Sequence, residues 1–375
     1  MDQRILVTYR VRGEAATIKE RAAALAVEQS VEMPLAAINE RQVLEGIVGQ
    51  VATIAERGGG VFEVGIALAA ATMLGQRGGE AGQMLNMLFG NSSIHDDVVL
   101  WDIALPAGFA NGFANGFGGP RHGIAGLRRR LGASARALTC AALKPQGLGP
   151  AALAALAGRL ALGGIDMIKD DHGIADQPYA PFAERVRACA GAIREARAKT
   201  GHPTCYAPNL SGSLDDLRRQ IDAARGAGVD TVLIAPLVVG LPAFQTIVRE
   251  NPDLAFLAHP ALAGAGRIAP ALLYGKLFRL FGADAVIYPH HGGRFGYTPE
   301  TCRAIAETAR APWAGLAPAL PVPAGGMIPA RVPEMLAFYG RDTMLLIGGA
   351  LLAAGASMVT ETSAFVRQVA ESSDV

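Results

Sequence analysis

The sequence predicts an α/β protein: a (β/α)8 TIM barrel preceded by a smaller α+β amino-terminal domain. Three observations predict it. Eight short apolar segments follow one another after residue 121. Alanine-rich amphipathic segments lie between nearly all of them. Polar residues gather just past the apolar segments, where barrel enzymes keep their chemistry. The length, 375 residues, exceeds the ~250–300 residues at which single cores stop growing, so a second domain is expected. Hydrophobic residues make up 51% and charged ones 18%, which supplies a large core and argues against disorder.

In chain order, residues 5–11 alternate like a strand and 18–28 read as an alanine-rich helix. Residues 49–55, 60–66 and 98–105 read as further strands, which makes 1–106 an α+β amino-terminal domain. Residues 107–120 hold a tandem Gly/Asn repeat and read as a linker. The barrel is placed at 121–375. Its strands are expected at 137–143, 165–169, 204–209, 231–236, 254–259, 285–289, 317–322 and 343–347, with helices such as 181–198 and 213–227 between them.

Composition excludes several classes. Lys plus Arg is 34 and Asp plus Glu is 33. A chain so nearly neutral has no general electrostatic hold on nucleic acid or an anionic membrane. The four cysteines (Cys140, Cys189, Cys205, Cys302) lie far apart without zinc spacing; they read as buried thiols in a reducing compartment. Two uncharged runs, 231–248 and 343–360, reach the ~18 residues of a membrane span. Pro236 and Pro242 interrupt the first, Gly348 and Gly349 the second, so both read as strand, turn and helix start. No secretory leader opens the sequence, and a cytoplasmic location is expected.

The most informative stretch is Lys169, Asp170, Asp171 and His172, closing the second strand. Alternation sends Lys169 and Asp171 to one face and Asp170 to the other. A lysine there would serve as a base, a Schiff-base former or, once carbamylated by CO2, an anionic oxygen ligand. With Asp171 the carbamate would suit a hard divalent cation. Lys144, after the first strand, adds a second amine, and clustered cations depress one another's pKa. Gly325–Gly326 and Gly348–Gly349, after strands seven and eight, suit phosphate binding by backbone N–H groups. His259, His290 and His291 are candidate ligands or acid–base groups. Arg294, flanked by glycines, would clamp an anion.

Taken together these residues resemble the ribulose bisphosphate carboxylase large chain. Residues 163–171 (GGIDMIKDD) resemble its metal-site strand, 143–149 (LKPQGLG) its first-strand lysine motif, and 117–124 (FGGPRHGI) the start of its barrel. Gly90, Asn91 and residues 28–30 resemble its amino-terminal site residues; 320–326 (LPVPAGG) and 347–349 (IGG) resemble its phosphate loops. The resemblance implies a homodimer with shared active sites. It makes Lys169 a carbamylated metal ligand beside Asp171, with Lys144 as the proton shuttle. Glu28 and Asn91 would arrive from the partner, and Gly326, Gly348 and Gly349 would hold one phosphate.

The departures narrow the function. The family's third metal ligand, a glutamate, is His172 here, which keeps Mg2+ as the expected ion and admits Mn2+. The second lysine of the first-strand motif is Gln146, and the mobile-loop lysine is Arg294, which cannot shuttle protons. The second phosphate site aligns with Pro260, Ile287 and Ala324, none of which binds a dianion. A monophosphorylated substrate and a RuBisCO-like enzyme other than a CO2-fixing carboxylase are therefore expected. The reading preferred from sequence is enolate chemistry in a decarboxylase or transcarboxylase/hydrolase of 3-oxo-isoapionate 4-phosphate, His259 included among its catalytic groups. The first alternative is a methionine-salvage enolase or isomerase of a methylthio-sugar phosphate. A non-catalytic regulatory protein and a Schiff-base aldolase complete the set.

Overall fold

The structure, a computed structural model, describes residues 3–76, 78–105, 110–133 and 135–373. The chain divides into two compact units. The first comprises residues 1–118 together with 262–273 and 312–316; the second is the remainder.

The first unit is built on a four-stranded antiparallel sheet. Its strands are β1 (Arg4–Arg12), β2 (Gln50–Gly58), β3 (Val61–Ala69) and β4 (Val98–Ala104), in the order β2-β3-β1-β4. Along β1 every second residue (Ile5, Val7, Tyr9 and Val11) is fully buried, as the alternation requires. Helix α1 (Ile18–Glu28) buries Ile18, Ala22, Leu25 and Ala26. Helix α2 (Ala81–Phe89) buries Met84 and Leu88, and Tyr9 donates its hydroxyl proton to the Leu88 carbonyl at 2.6 Å.

Two features differ from the expected division. The repeat read as a linker forms a helix, α3 (Ala110–Phe117); residues 107–109 lie outside the described residues. The repeat has a period of four, close to a helical turn, a spacing that suits a helix with one apolar face. Phe117 is fully buried, and its ring fills the space where a Cβ on Gly79 would be. Second, a late segment joins the early sheet. Leu100 N–H donates to the Arg267 carbonyl and Ala269 N–H to the Leu100 carbonyl, both at 2.9 Å. A strand edge collects any extended segment that satisfies its free backbone groups, whatever its place in the sequence.

The second unit opens with α4 (Gly123–Leu131) and continues as the barrel. Its strands are β5 (Leu138–Leu143), β6 (Met167–Asp170), β7 (Cys205–Ala207), β8 (Asn209–Leu210), β9 (Thr231–Ile234), β10 (Ala255–Ala258), β11 (Ala285–Pro289), β12 (Leu320–Ala324) and β13 (Met344–Ile347). All pair in parallel, in the runs β13-β5-β6-β7 and β8-β9-β10-β11-β12. β7 and β8 are one barrel strand divided at Pro208, which has no N–H to give the ladder; its carbonyl still accepts from Leu233 N–H at 2.9 Å. On the other side the Thr343 hydroxyl, at the start of β13, donates to the Pro321 carbonyl of β12 at 3.1 Å. The strands thus form the eight-membered ring of a (β/α)8 barrel.

The strands are separated by α5 (Pro150–Leu162), α6 (Phe182–Thr200), α7 (Leu214–Gly226), α8 (Leu241–Glu250), a π-helix (Ala271–Phe278), α9 (Pro299–Arg310) and α10 (Val332–Tyr339), and α11 (Met358–Ser373) ends the chain. α7 begins with a capping box, Ser213 with Asp216. Among the described residues no helix is long and apolar enough to cross a membrane.

Side chains pointing into the barrel form one apolar cluster. It includes Leu138, Cys140, Ala142, Met167, Ala207, Leu233, Ala255, Leu257, Ala285, Ile287, Leu320, Val322, Met344 and Leu346. The period of two, carried one step further, brings Lys144, Lys169, His259, Ala324 and Gly348 to the carboxyl ends of the strands.

Candidate active site

β6 ends by dividing its charges between two faces. Asp170, on the outward face, is fully buried. It accepts from Arg185 Nε of α6 at 3.0 Å, from the Tyr206 hydroxyl at 2.7 Å and from Asn209 N–H at 3.1 Å. Buried and bonded three times, Asp170 fixes the strand end. Lys169 and Asp171 turn the other way, as alternation predicts.

Lys169 is 3% exposed, and its ammonium donates to the Asp170 carbonyl at 2.8 Å. Burial pulls its pKa down, and the charge of Lys144 adds to the effect, although Asp171 opposes it. Lys144 Nζ lies 2.9 Å from Asp171 Oδ1. Burial alone would raise the Asp171 pKa, but hydrogen bonds from His172 and Lys144 and the charge of Lys169 outweigh it and hold the group ionised. The His172 ring stacks on His259, centroids 4.1 Å apart. Ala261 N–H donates to His259 Nδ1 at 3.1 Å, so the neutral ring carries its proton on Nε2. Burial, followed by the charge of Lys169, pushes the His259 pKa down to about 2. Lys144, Lys169, Asp171, His172 and His259 therefore form one cluster. Gln146 packs against Gly173 so closely that a Cβ there would collide with its amide.

The donor set bears on the implied metal. Asp171 Oδ1 and His172 Nδ1 are 3.6 Å apart. Two donors sharing one ion at ~2.1 Å each, side by side, lie ~3.0–3.4 Å apart, so a small closure would let both bind. Among the described residues no three His, Cys, Asp or Glu side chains form a metal site. Lys169, buried beside Asp171, would offer a third, oxygen donor if it were carbamylated. With that modification the set fits a divalent ion.

The second group of candidates lies after β11 and β12. Arg294 N–H donates to the Gly325 carbonyl at 2.9 Å, and the Arg294 side chain packs over Gly326. Gly325 and Gly326 have φ of 93° and 107°, a region open chiefly to glycine. Among the described residues their N–H groups have no protein acceptor and the Arg294 guanidinium makes no ion pair. Free N–H groups beside an uncompensated cation make an anion cradle. Gly348 sits against Ala142 of β5, and Gly349 starts a five-residue helix, Gly349–Ala353.

Glu28 and Asn91 meet in the first unit, where Asn91 Nδ2 donates to Glu28 Oε1 at 2.8 Å. The neighbouring Gln29 is buried and links Met87 O to Ser92 N–H, which fixes the backbone on both sides of the pair. His290 and His291 fall outside the Lys169 cluster, in a group with Arg331 and Glu334. The sequence reading missed those two partners. It also missed Arg185, whose only signal was a charged residue on the apolar face of a helix.

The family model for the ribulose bisphosphate carboxylase large chain, catalytic domain, matches residues 123–373. The 5-methylthioribulose-1-phosphate isomerase of Rhodospirillum rubrum is 59% identical over 371 residues, covering 99% of this chain and 97% of that protein. The 2,3-diketo-5-methylthiopentyl-1-phosphate enolase of Geobacillus thermodenitrificans is 34% identical over 278 residues, 72% of this chain and 66% of that one. Among solved structures, the Rubisco-like protein from Rhodopseudomonas palustris superposes with a TM-score of 0.91 at 51% identity, covering 99% of each chain. These names favour the isomerase or enolase alternative over the decarboxylase. The chain belongs to the ribulose bisphosphate carboxylase large-chain family, as one of its RuBisCO-like proteins.

Proposed function

We propose that this protein is an isomerase that forms an enolate on a monophosphorylated methylthio-sugar of the 5-methylthioribulose 1-phosphate kind. The observation that carries the reading is the cluster at the strand ends: Lys144 Nζ at 2.9 Å from Asp171 Oδ1, with Lys169 buried beside them. The name of the Rhodospirillum rubrum relative supports the substrate class.

In this reading Lys169 as its carbamate, Asp171 and His172 hold a divalent ion, Mg2+ or Mn2+. When bound, the ion supplies Lewis-acid stabilisation of the charge that develops on the substrate carbonyl. Lys144 removes the proton next to that carbonyl and returns one to the neighbouring carbon. His259, neutral with a proton on Nε2, donates a hydrogen bond to a substrate oxygen. The Arg294, Gly325 and Gly326 cradle, with Gly348 and Gly349, takes the single phosphate. Apolar residues at 260, 287 and 324 leave the other end of the substrate without a second anion site. Isomerisation adds no CO2, so an arginine in place of the mobile-loop lysine is compatible with it. The proposal extends to a cytoplasmic homodimer in which the partner's amino-terminal unit completes each site through the Glu28–Asn91 pair.

The test is incubation with 5-methylthioribulose 1-phosphate, Mg2+ and bicarbonate in D2O, followed by NMR. Formation of an isomeric sugar phosphate carrying deuterium is expected. 3-Oxo-isoapionate 4-phosphate serves as the comparison. CO2 release from it without turnover of the methylthio-sugar would overturn the proposal, as would inertness toward both.

A further inference from the structure

The group around His290 has no role in the chemistry above. His290 is fully buried. Its Nδ1 is 2.6 Å from the His291 carbonyl, so that nitrogen carries the proton and donates. Its Nε2, without a partner among the described residues, lies where a side chain on Gly293 would be; a Cβ there would stand 2.9 Å from it and would also collide with the Gly325 carbonyl. Two backbone bonds lace this loop to the next: His290 N–H to Ala324 O and Arg294 N–H to Gly325 O, both 2.9 Å.

Arg331 fills the inside of the loop. Its NH1 donates to the His291 carbonyl at 3.0 Å and lies 3.0 Å from where a Cβ on Gly292 would sit. Glu334 grips the other edge of the guanidinium with two bonds, 2.9 and 2.7 Å, and approaches His291 Nε2 at 3.4 Å. The His291 ring in turn packs on Phe338, centroids 4.4 Å apart. Arg331 is thus neutralised and tied to α10, whereas Arg294 is not.

Glycines at 292, 293 and 296 give this loop large conformational freedom. Left free, it would have to be ordered each time an anion bound, and that ordering would weaken binding. We propose that Arg331, held by Glu334, is a positioning residue that pins the Arg294 loop onto Gly325 and Gly326, so that the anion cradle stands assembled before its ligand arrives. The inference rests on the reading of that cradle as a phosphate site. It deepens that reading by naming what fixes the site's affinity.

The probe is inorganic phosphate, titrated calorimetrically into the full-length protein, so no turnover is needed. R331A is expected to weaken binding about tenfold, the worth of a charged hydrogen bond. R331K should recover part of this, since lysine reaches one carbonyl but cannot make the bidentate pair with Glu334. In an R294A background, R331A should change affinity less than twofold, because Arg331 acts through Arg294. Should R331A fail to fold, as judged by near-UV circular dichroism, E334Q enters the same cycle with an expected loss of about threefold. Additive losses in the double variant would overturn the proposal by making Arg331 a direct ligand. Unchanged affinity in R331A would overturn it by making the latch purely structural. If the unmodified protein binds no phosphate, the cradle itself is refuted, and the pin with it. If phosphate binds but the cycle is flat, only the pin falls.

Discussion

Replacing Lys144 by methionine separates chemistry from stability at one residue. The change keeps the unbranched stem and removes the amine that sits 2.9 Å from Asp171. The Lys144 side chain is 39% exposed, and ion pairs that open to solvent are worth about 0–1 kcal/mol. Asp171 also keeps the charge of Lys169 beside it. The melting temperature should therefore fall by no more than about 4 °C. A general acid–base group contributes about 10²–10⁴ in rate, or roughly 2.7–5.5 kcal/mol of barrier. The assay is wash-in of solvent deuterium at the carbon next to the substrate carbonyl, followed by NMR. K144M should lose at least a hundredfold in exchange, and K144R should not restore it, since arginine stays protonated. Exchange within tenfold of the unmodified protein would refute Lys144 as the proton carrier. A large fall in melting temperature with unchanged exchange would reassign it to structure.

Three further outcomes are expected. D170N leaves the buried Arg185 without its counter-charge, a loss of about 3–5 kcal/mol, and should lower the melting temperature by roughly 6–20 °C; a shift under 3 °C would show that the network does not carry the strand end. Burial tends to raise the Asp166 pKa, but hydrogen bonds from Arg136 and His202 outweigh it and set the carboxyl below its usual value. Its stabilising contribution is present above the unfolded value of ~3.9 and is lost as pH falls through that value toward the folded one. D166N should therefore flatten the acid limb of urea midpoints measured from pH 3 to 7, and an unaltered limb would count against it. Finally, E28Q and K169M should each be inactive, whereas co-expression should restore about one quarter of the sites if each site draws on two protomers of a C2 dimer; no recovery in purified heterodimers would place each site within one chain.

The barrel was legible because its strands are buried on both sides and therefore read as apolar runs. The run at 285–289 coincides with β11, and most other strand ends agree within two or three residues. The split of Lys169 from Asp170 was legible for a different reason: a period of two leaves no choice of face. What escaped depends on partners remote in sequence. Nothing near Asp170 announces Arg185, and nothing near His290 announces Arg331 or Glu334. The glycine-rich repeat misled because composition favours a linker, while its four-residue phenylalanine spacing favours a helix that can bury Phe117. Polar strand ends named Lys144, Lys169, Asp171, His172 and His259 as candidates. Sequence alone could not tell that the two histidines stack or that His259 is neutral.

The late segments of the amino-terminal unit bear on how the chain is made. Residues 267–269 border β4, and 312–316 belong to the same unit. On the ribosome that unit therefore stays unfinished until residue 316 has emerged, by which time six of the eight barrel staves have been synthesised. Cutting the gene between residues 118 and 119 would yield no pair of self-sufficient fragments, because the first would lack 262–273 and 312–316, which complete its unit and would stay with the second.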